Sequence, residues 1–276
     1  MSLADTAIGT PRTAGADRLD HRPRGRGVPA WRAVLTHAGM ETRLLLRNPE
    51  QLLVAVVIPL LALVVLDRTS LLDASLRRGQ VRAELSLPGV LALAVLSTAF
   101  TSTAITTGFD RRYGVLRRLG ATPLGRPGLL GGKVLAVSAV LVGQVVVLSA
   151  GAAILGWSAG PAGRGGLAGA VGLLVLGVAA LVPVALLVGG TLRAEAALAV
   201  ANVLYVLMLG LSAVLVPADR YPAGLAVLAR LLPPGALAEG LRSALSGSGV
   251  PWVDLAVLLG WAVLATAACL RWFRWD

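Results

Sequence analysis

The sequence predicts an all-α polytopic membrane protein, and three observations carry that prediction. It is 56% hydrophobic and only 14% charged, where a soluble protein is about one-quarter charged. Apolar runs of about 20 residues recur along its 276 residues, and each is long enough to cross a hydrocarbon core of about 30 Å. Its 25 cations fall in the gaps between those runs, the distribution expected of loops facing an anionic leaflet. The excess charge of +11 does not read as nucleic-acid binding, because no basic face with interleaved aromatics accompanies it.

Met1 to Pro29 lacks the apolar core of a cleavable leader. Residues 1–30 are expected to be a disordered cytoplasmic tail, too polar to fold, and residues 31–276 a single transmembrane domain. Trp31 to Arg47 intersperses Trp31, Val34, Leu35, Ala38, Leu45 and Leu46 with Arg32, His37, Glu41, Arg43 and Arg47. This pattern suits an N-terminal amphipathic helix in the membrane interface, the alternative being a plain cytoplasmic extension of the first span. His37 is expected to be solvated there.

Six spans follow, at about 49–66, 87–108, 134–155, 167–190, 196–216 and 252–270. Pro59 and Pro183 are kink candidates inside the first and fourth. Span two has a hydroxyl-rich second half, Ser97 to Thr107, able to bond i−4 carbonyls or a neighbouring helix. Asp67 to Leu85 reads as a polar loop and Thr191 to Glu195 as a tight turn. The 217–250 segment is broken by Pro222, Pro233, Pro234 and Gly235 yet is too apolar for an ordinary loop. Re-entrant or interfacial half-helices before the last span fit it best. Arg271 to Asp276 supplies an aromatic and basic interface anchor.

An even number of spans puts both termini on one side. The gaps on that side hold 17 Lys and Arg against 8 on the other, which predicts that both termini are cytoplasmic. The same count places the 110–133 segment in the cytoplasm. Asp110 to Leu119 reads there as one amphipathic helix, with Val115, Leu116 and Leu119 on one side and Arg111, Arg112, Arg117 and Arg118 around the rest. Thr122-Pro123 and Arg126-Pro127 are expected to stop it, since the residue before a proline leaves the α region.

No catalytic constellation is visible. His21 and His37 both precede the first span, so a histidine triad or metal site within the spans is not expected. Cys269 is the single cysteine, which leaves no internal disulfide. Gly131-Gly132-Lys133 resembles the end of a phosphate loop, but Pro127 stands where the first glycine belongs and Val134 where Ser or Thr belongs. The chain is therefore expected to bind no cofactor and hydrolyse no ATP itself. The spans are nearly free of ionisable residues, which counts against an ion-coupled carrier, and no channel filter or charge ring is visible. Thr103, Thr106, Gln144, Asn202 and Tyr205 are the polar candidates within the spans for a substrate path. Helix-to-helix hydrogen bonding is their commoner fate.

The stretch Asp110-Arg-Arg-Tyr-Gly-Val-Leu-Arg-Arg-Leu-Gly-Ala-Thr-Pro-Leu124, followed by Leu129-Leu-Gly-Gly-Lys133, resembles the signature of ABC-2 type transporter permeases. Leu232-Pro233-Pro234 followed by Ala238-Glu239-Gly240-Leu241-Arg242 is similar to a second family pattern, and the likeness extends from about Trp31 to the end. The family usually carries Glu at the acidic position and a second acid two residues later; here Asp110 and Arg112 stand there.

The resemblance implies the permease subunit of a bacterial exporter of drugs, lipids or lipid-linked compounds, in the plasma membrane. It further implies a homodimer or a pair with a paralogous permease, working with two copies of a separate ABC ATPase subunit that binds ATP and magnesium. Asp110, Arg111, Arg112, Gly114, Leu116, Arg117, Arg118 and Leu119 would form the ATPase-coupling helix, with Gly114 either allowing close approach of the partner or merely tolerated in the helix. A hydrophobic or amphipathic substrate is expected. The competing reading is a membrane-embedded scaffold or regulatory protein without transport, with an ion-coupled carrier a more distant third.

Overall fold

The computed structural model describes residues 29–47, 49–76, 81–120, 125–159 and 162–273. The expected tail falls almost wholly outside them, as do Thr122-Pro123 and the last three residues. Among the described residues the chain is all-helical. Among these residues five helices are long and apolar enough to cross a membrane, or up to six if one bent pair counts as a span.

The first helix, α1 (Ala30–Leu46), follows Pro29 and packs along α6 (Gly125–Ile154). It ends at Arg47, and α2 (Pro49–Arg68) begins afresh at a proline, which tolerates the first turn of a helix because its missing N–H has no partner there anyway. The α2 helix occupies the place of the expected first span.

The best buried span is the 31-residue rod Arg82–Arg112, built from α3 (Arg82–Val95), a π-helical segment (Leu96–Ser102) and α4 (Thr103–Arg112). It starts five residues earlier than expected. Arg82 is accommodated in the first turn because it donates to the Asp73 carboxylate and the Asp67 carbonyl, so its charge is paired.

The rod does not continue through the basic stretch. The chain turns at Tyr113–Gly114 and restarts as α5 (Val115–Gly120), which corrects the single helix expected over 110–119. Gly114 has φ +71°, the left-handed geometry that ends helices and that glycine adopts without a Cβ penalty. It serves the backbone turn rather than being merely tolerated inside a helix. The Arg126-Pro127 pair does not break a helix either. Pro127 lies in the first turn of α6, which makes Leu129 to Lys133 helical and lengthens the third span beyond 134–155.

After α7 (Gly163–Thr191), a two-residue turn leads into α8 (Ala194–Leu211). The expected continuation of that span to residue 216 fails, because the chain leaves the helix at Ser212 and Ala213 takes φ +51°. The broken segment forms two half-helices, α9 (Ala223–Leu231) and α10 (Pro233–Leu245), bent by 94° at Leu232. The last span is α11 (Trp252–Trp272). The core is centred on α3 and its π-helical continuation, α7 and α10.

Candidate functional site

Lys133 is the only lysine in the chain, and the structure buries it. Its Nζ donates to Glu41 Oε1 at 3.1 Å and to Asp110 Oδ2 at 3.2 Å, with the side chain 4% exposed. One cation therefore ties α1, α4 and α6 together. A buried ammonium is tolerated only when paired and hydrogen-bonded, and here two carboxylates from two helices supply that pairing.

His37 completes the cluster. It is buried rather than solvated as expected, its ring packed on Gly132 so closely that a Cβ there would collide with it. Nε2 lies 3.7 Å from Glu41 Oε1. Burial lowers the His37 pKa below its ordinary value, and nearby Lys133 pushes the same way against Glu41 and Asp110. The neutral ring is the form that this packing favours. Gly132 thus admits a histidine at a helix crossing, a use that the failed phosphate-loop match left open.

Asp110, Arg111 and Arg112 are all engaged within the chain. Arg111 donates from Nη1 to the carbonyls of Gly190 at 3.0 Å and Leu192 at 3.2 Å, bonding the C-terminal end of α7. Arg112 pairs with Glu195 at the start of α8. Leu116 is fully buried and Leu119 partly so, whereas Tyr113, Arg117 and Arg118 are exposed. The basic stretch therefore divides into an anchored base, a turn at Gly114 and an outward-facing helix.

The five polar candidates within the spans also divide. Asn202 and Tyr205 line a cavity of about 320 Å³ with Ser97, Thr98, Thr101 and Ser102 of the π-helical segment. Ala55 and Ile58 of α2 and Val140 of α6 form its apolar side. Ser97 Oγ donates to Tyr205 Oη at 3.4 Å. Gln144 instead bridges helices: it is 2% exposed, exchanges hydrogen bonds with Thr98 and donates to the Ala55 carbonyl at 3.0 Å. Thr103 and Thr106 donate to carbonyls of their own helix. They line a void of about 20 Å³ together with Glu41 and Lys133, room for about one water.

The hydroxyl-rich run pointed to this wall, but its π-helical winding was not readable. A π-turn rotates successive side chains off the α-helical register and often accompanies functional sites. Here it turns Ser97, Thr98, Thr101 and Ser102 towards one cavity. Among the described residues there is no group of three or more His, Cys, Asp or Glu placed to hold a metal ion.

No curated protein matches the chain. The sequence model of the ABC-2 family transporter proteins matches residues 76–271, a stretch that takes in the Asp110–Lys133 cluster, the π-helical segment and the bent half-helices. Membership accounts for the several apolar helices and implies partnership with an ABC ATPase subunit. On that match over most of its length, the chain belongs to the ABC-2 transporter family.

Proposed function

We propose that the chain is the permease subunit of an ATP-binding cassette exporter. It moves a hydrophobic or amphipathic compound (drug, lipid or lipid-linked) out across a bacterial plasma membrane. Two copies of a separate ATPase subunit, carrying ATP and magnesium, supply the energy. The working unit is a homodimer or a pair with a paralogous permease, embedded in membrane lipid. The uneven distribution of cations between the two sets of gaps supports cytoplasmic termini and a cytoplasmic 110–133 segment.

The observation that carries this reading is the construction of residues 110–120. Asp110, Arg111 and Arg112 are fastened to α1, α6, α7 and α8, while Arg117 and Arg118 project outward on a short helix. A push on α5 therefore passes through Gly114 into the rod Arg82–Arg112, whose π-helical segment lines the 320 Å³ cavity. Leu116 and Leu119 seat α5 and the two exposed arginines meet the ATPase. Asn202 and Tyr205 face the substrate, and Gln144, Thr103 and Thr106 hold the wall behind them.

Charge reversal at both exposed positions, Arg117→Glu with Arg118→Glu, tests the docking. Like charges brought face to face across an interface cost several kcal/mol, so about tenfold less co-expressed ATPase is expected in the membrane fraction, with the permease still inserted. Full retention of the ATPase by the double variant overturns the assignment.

A further inference from the structure

We infer that the cleft between the end of α4 and the α7–α8 turn binds the phosphate headgroup of an anionic phospholipid. The cleft has a volume of about 460 Å³ and is lined by three guanidinium groups, Arg111, Arg112 and Arg193, against one carboxylate, Glu195. Three cations and one acid leave it with two excess positive charges. The planar fork of arginine matches phosphate oxygens in pairs, and basic pockets between helices on the cytoplasmic side of membrane proteins recruit lipid headgroups in this way.

The three arginines are not equivalent. Arg111 is committed through Nη1 to the carbonyls of Gly190 and Leu192, and Arg112 is paired with Glu195. Among the described residues nothing pairs with Arg193, which is exposed at the lip. The first amides of α8 lie beside it, at Ala194 and Glu195, where a helix has N–H groups without helical acceptors. An incoming phosphate meets Arg193 first and competes with Glu195 for Arg112.

The position of the cleft selects a lipid over a soluble anion. Gly190, whose carbonyl accepts from Arg111, is covered by Phe273 so closely that a Cβ there would collide with the ring. Trp272, one residue before it, is 61% exposed. Exposed tryptophan at the end of a span marks the headgroup level. Beyond the cleft, exposed Leu198, Val203 and Val206 give α8 an apolar outer face for an acyl chain. The assignment to the inner leaflet rests on the orientation proposed above; the presence of the site does not.

The test is a titration of the full-length protein in neutral detergent, following its thermal unfolding midpoint as phosphatidylglycerol or phosphatidylcholine is added. Phosphatidylglycerol is expected to raise the midpoint and phosphatidylcholine to leave it nearly unchanged. Arg193→Gln should need about fivefold more phosphatidylglycerol for the same rise. Glu195→Gln, which frees Arg112, should need less. The opposite signs separate loss of binding from general damage.

Equal responses to the two lipids, or unshifted titrations in both variants, overturn the proposal. If glycerol phosphate alone displaces the lipid at matching concentration, the ligand is a soluble phosphate. If Arg193→Gln leaves the lipid titration intact but strips co-expressed ATPase, the cleft is a protein contact. Because detergent titration is blind to sidedness, its result stands whether or not the termini are cytoplasmic.

Discussion

Two buried cations lie against opposite halves of the same rod, and they act with different chemistry. Near its end Lys133 joins three helices through two carboxylates. Near its start Arg242, beside Gly89, is 8% exposed and donates to Glu239 Oε1 at 2.6 Å, Ala213 O at 3.0 Å and Val214 O at 2.6 Å. Gly89 and Asp110 are about 30 Å apart along the helix axis at 1.5 Å per residue. The compact ammonium holds side chains that belong to separate helices. The guanidinium fork instead holds main-chain carbonyls where α8 has unwound. Glu239 reinforces it by also accepting from the Ala218 amide at 3.0 Å. One end is built as a joint between helices and the other as a splint for a bend.

Removing the splint should have the larger effect. Arg242→Met leaves two buried carbonyls without their donor and the Glu239 carboxylate with only the Ala218 amide. Breaking a buried pair on one side costs about 3–5 kcal/mol, and the first turn after α8 has no other tether of that strength among the described residues. A large drop in the thermal unfolding midpoint of the detergent-purified protein is expected. Near-native stability would mean that the bend at 212–218 holds itself.

Lys133→Arg sharpens the contrast because it keeps the charge. In a chain with 24 arginines this one position carries lysine. The guanidinium is bulkier, and His37 packed on Gly132 closes the space beside it. Overpacking of this kind costs about 1–3 kcal/mol, so Lys133→Arg should be destabilising although it preserves the charge. Unfolding midpoints of the two proteins compare directly, and an unchanged midpoint would show that the joint needs only a positive charge.

Much of this plan was legible in the residues, and the parts that were not share a cause. Apolar run length located α6, α7, α8 and α11, and the prolines and glycines of 217–250 announced the bent half-helices. Burial across a helix crossing was not legible. His37 has ordinary polar neighbours in sequence, and only the packing of α1 on Gly132 withdraws it from water. The end of α8 at Ser212 is likewise set from a distance, by an arginine 30 residues later. Gly114 could be seen to be unusual, but its sign of φ depends on where α5 must point. The site residues follow the same rule: Asn202 and Tyr205 share a cavity with hydroxyls that the π-helical turn aims at it, and Gln144 is withdrawn from it by bonds to Thr98 and the Ala55 carbonyl.

The smallest predicted effect tests whether the joint responds to pH where the splint does not. His37 on α1 faces Glu41 on the same helix, Asp110 on α4 and Lys133 on α6, and burial lowers its pKa in the folded protein. The unfolded chain therefore takes up a proton at higher pH than the folded chain does. Stability contributed by the neutral ring is fully present above about pH 6.5 and is lost as pH falls towards the depressed folded value. The slope in that window is at most about 1.4 kcal/mol per pH unit. Unfolding midpoints measured from about pH 7.5 down to pH 5 should fall in the native protein and fall less in His37→Gln. Arg242→Met, though far less stable, should retain the native slope, since its cation lies at the other end of the rod. If His37→Gln titrates like the native protein, the acid sensitivity belongs to another group and the joint is held by Lys133 and its two carboxylates alone.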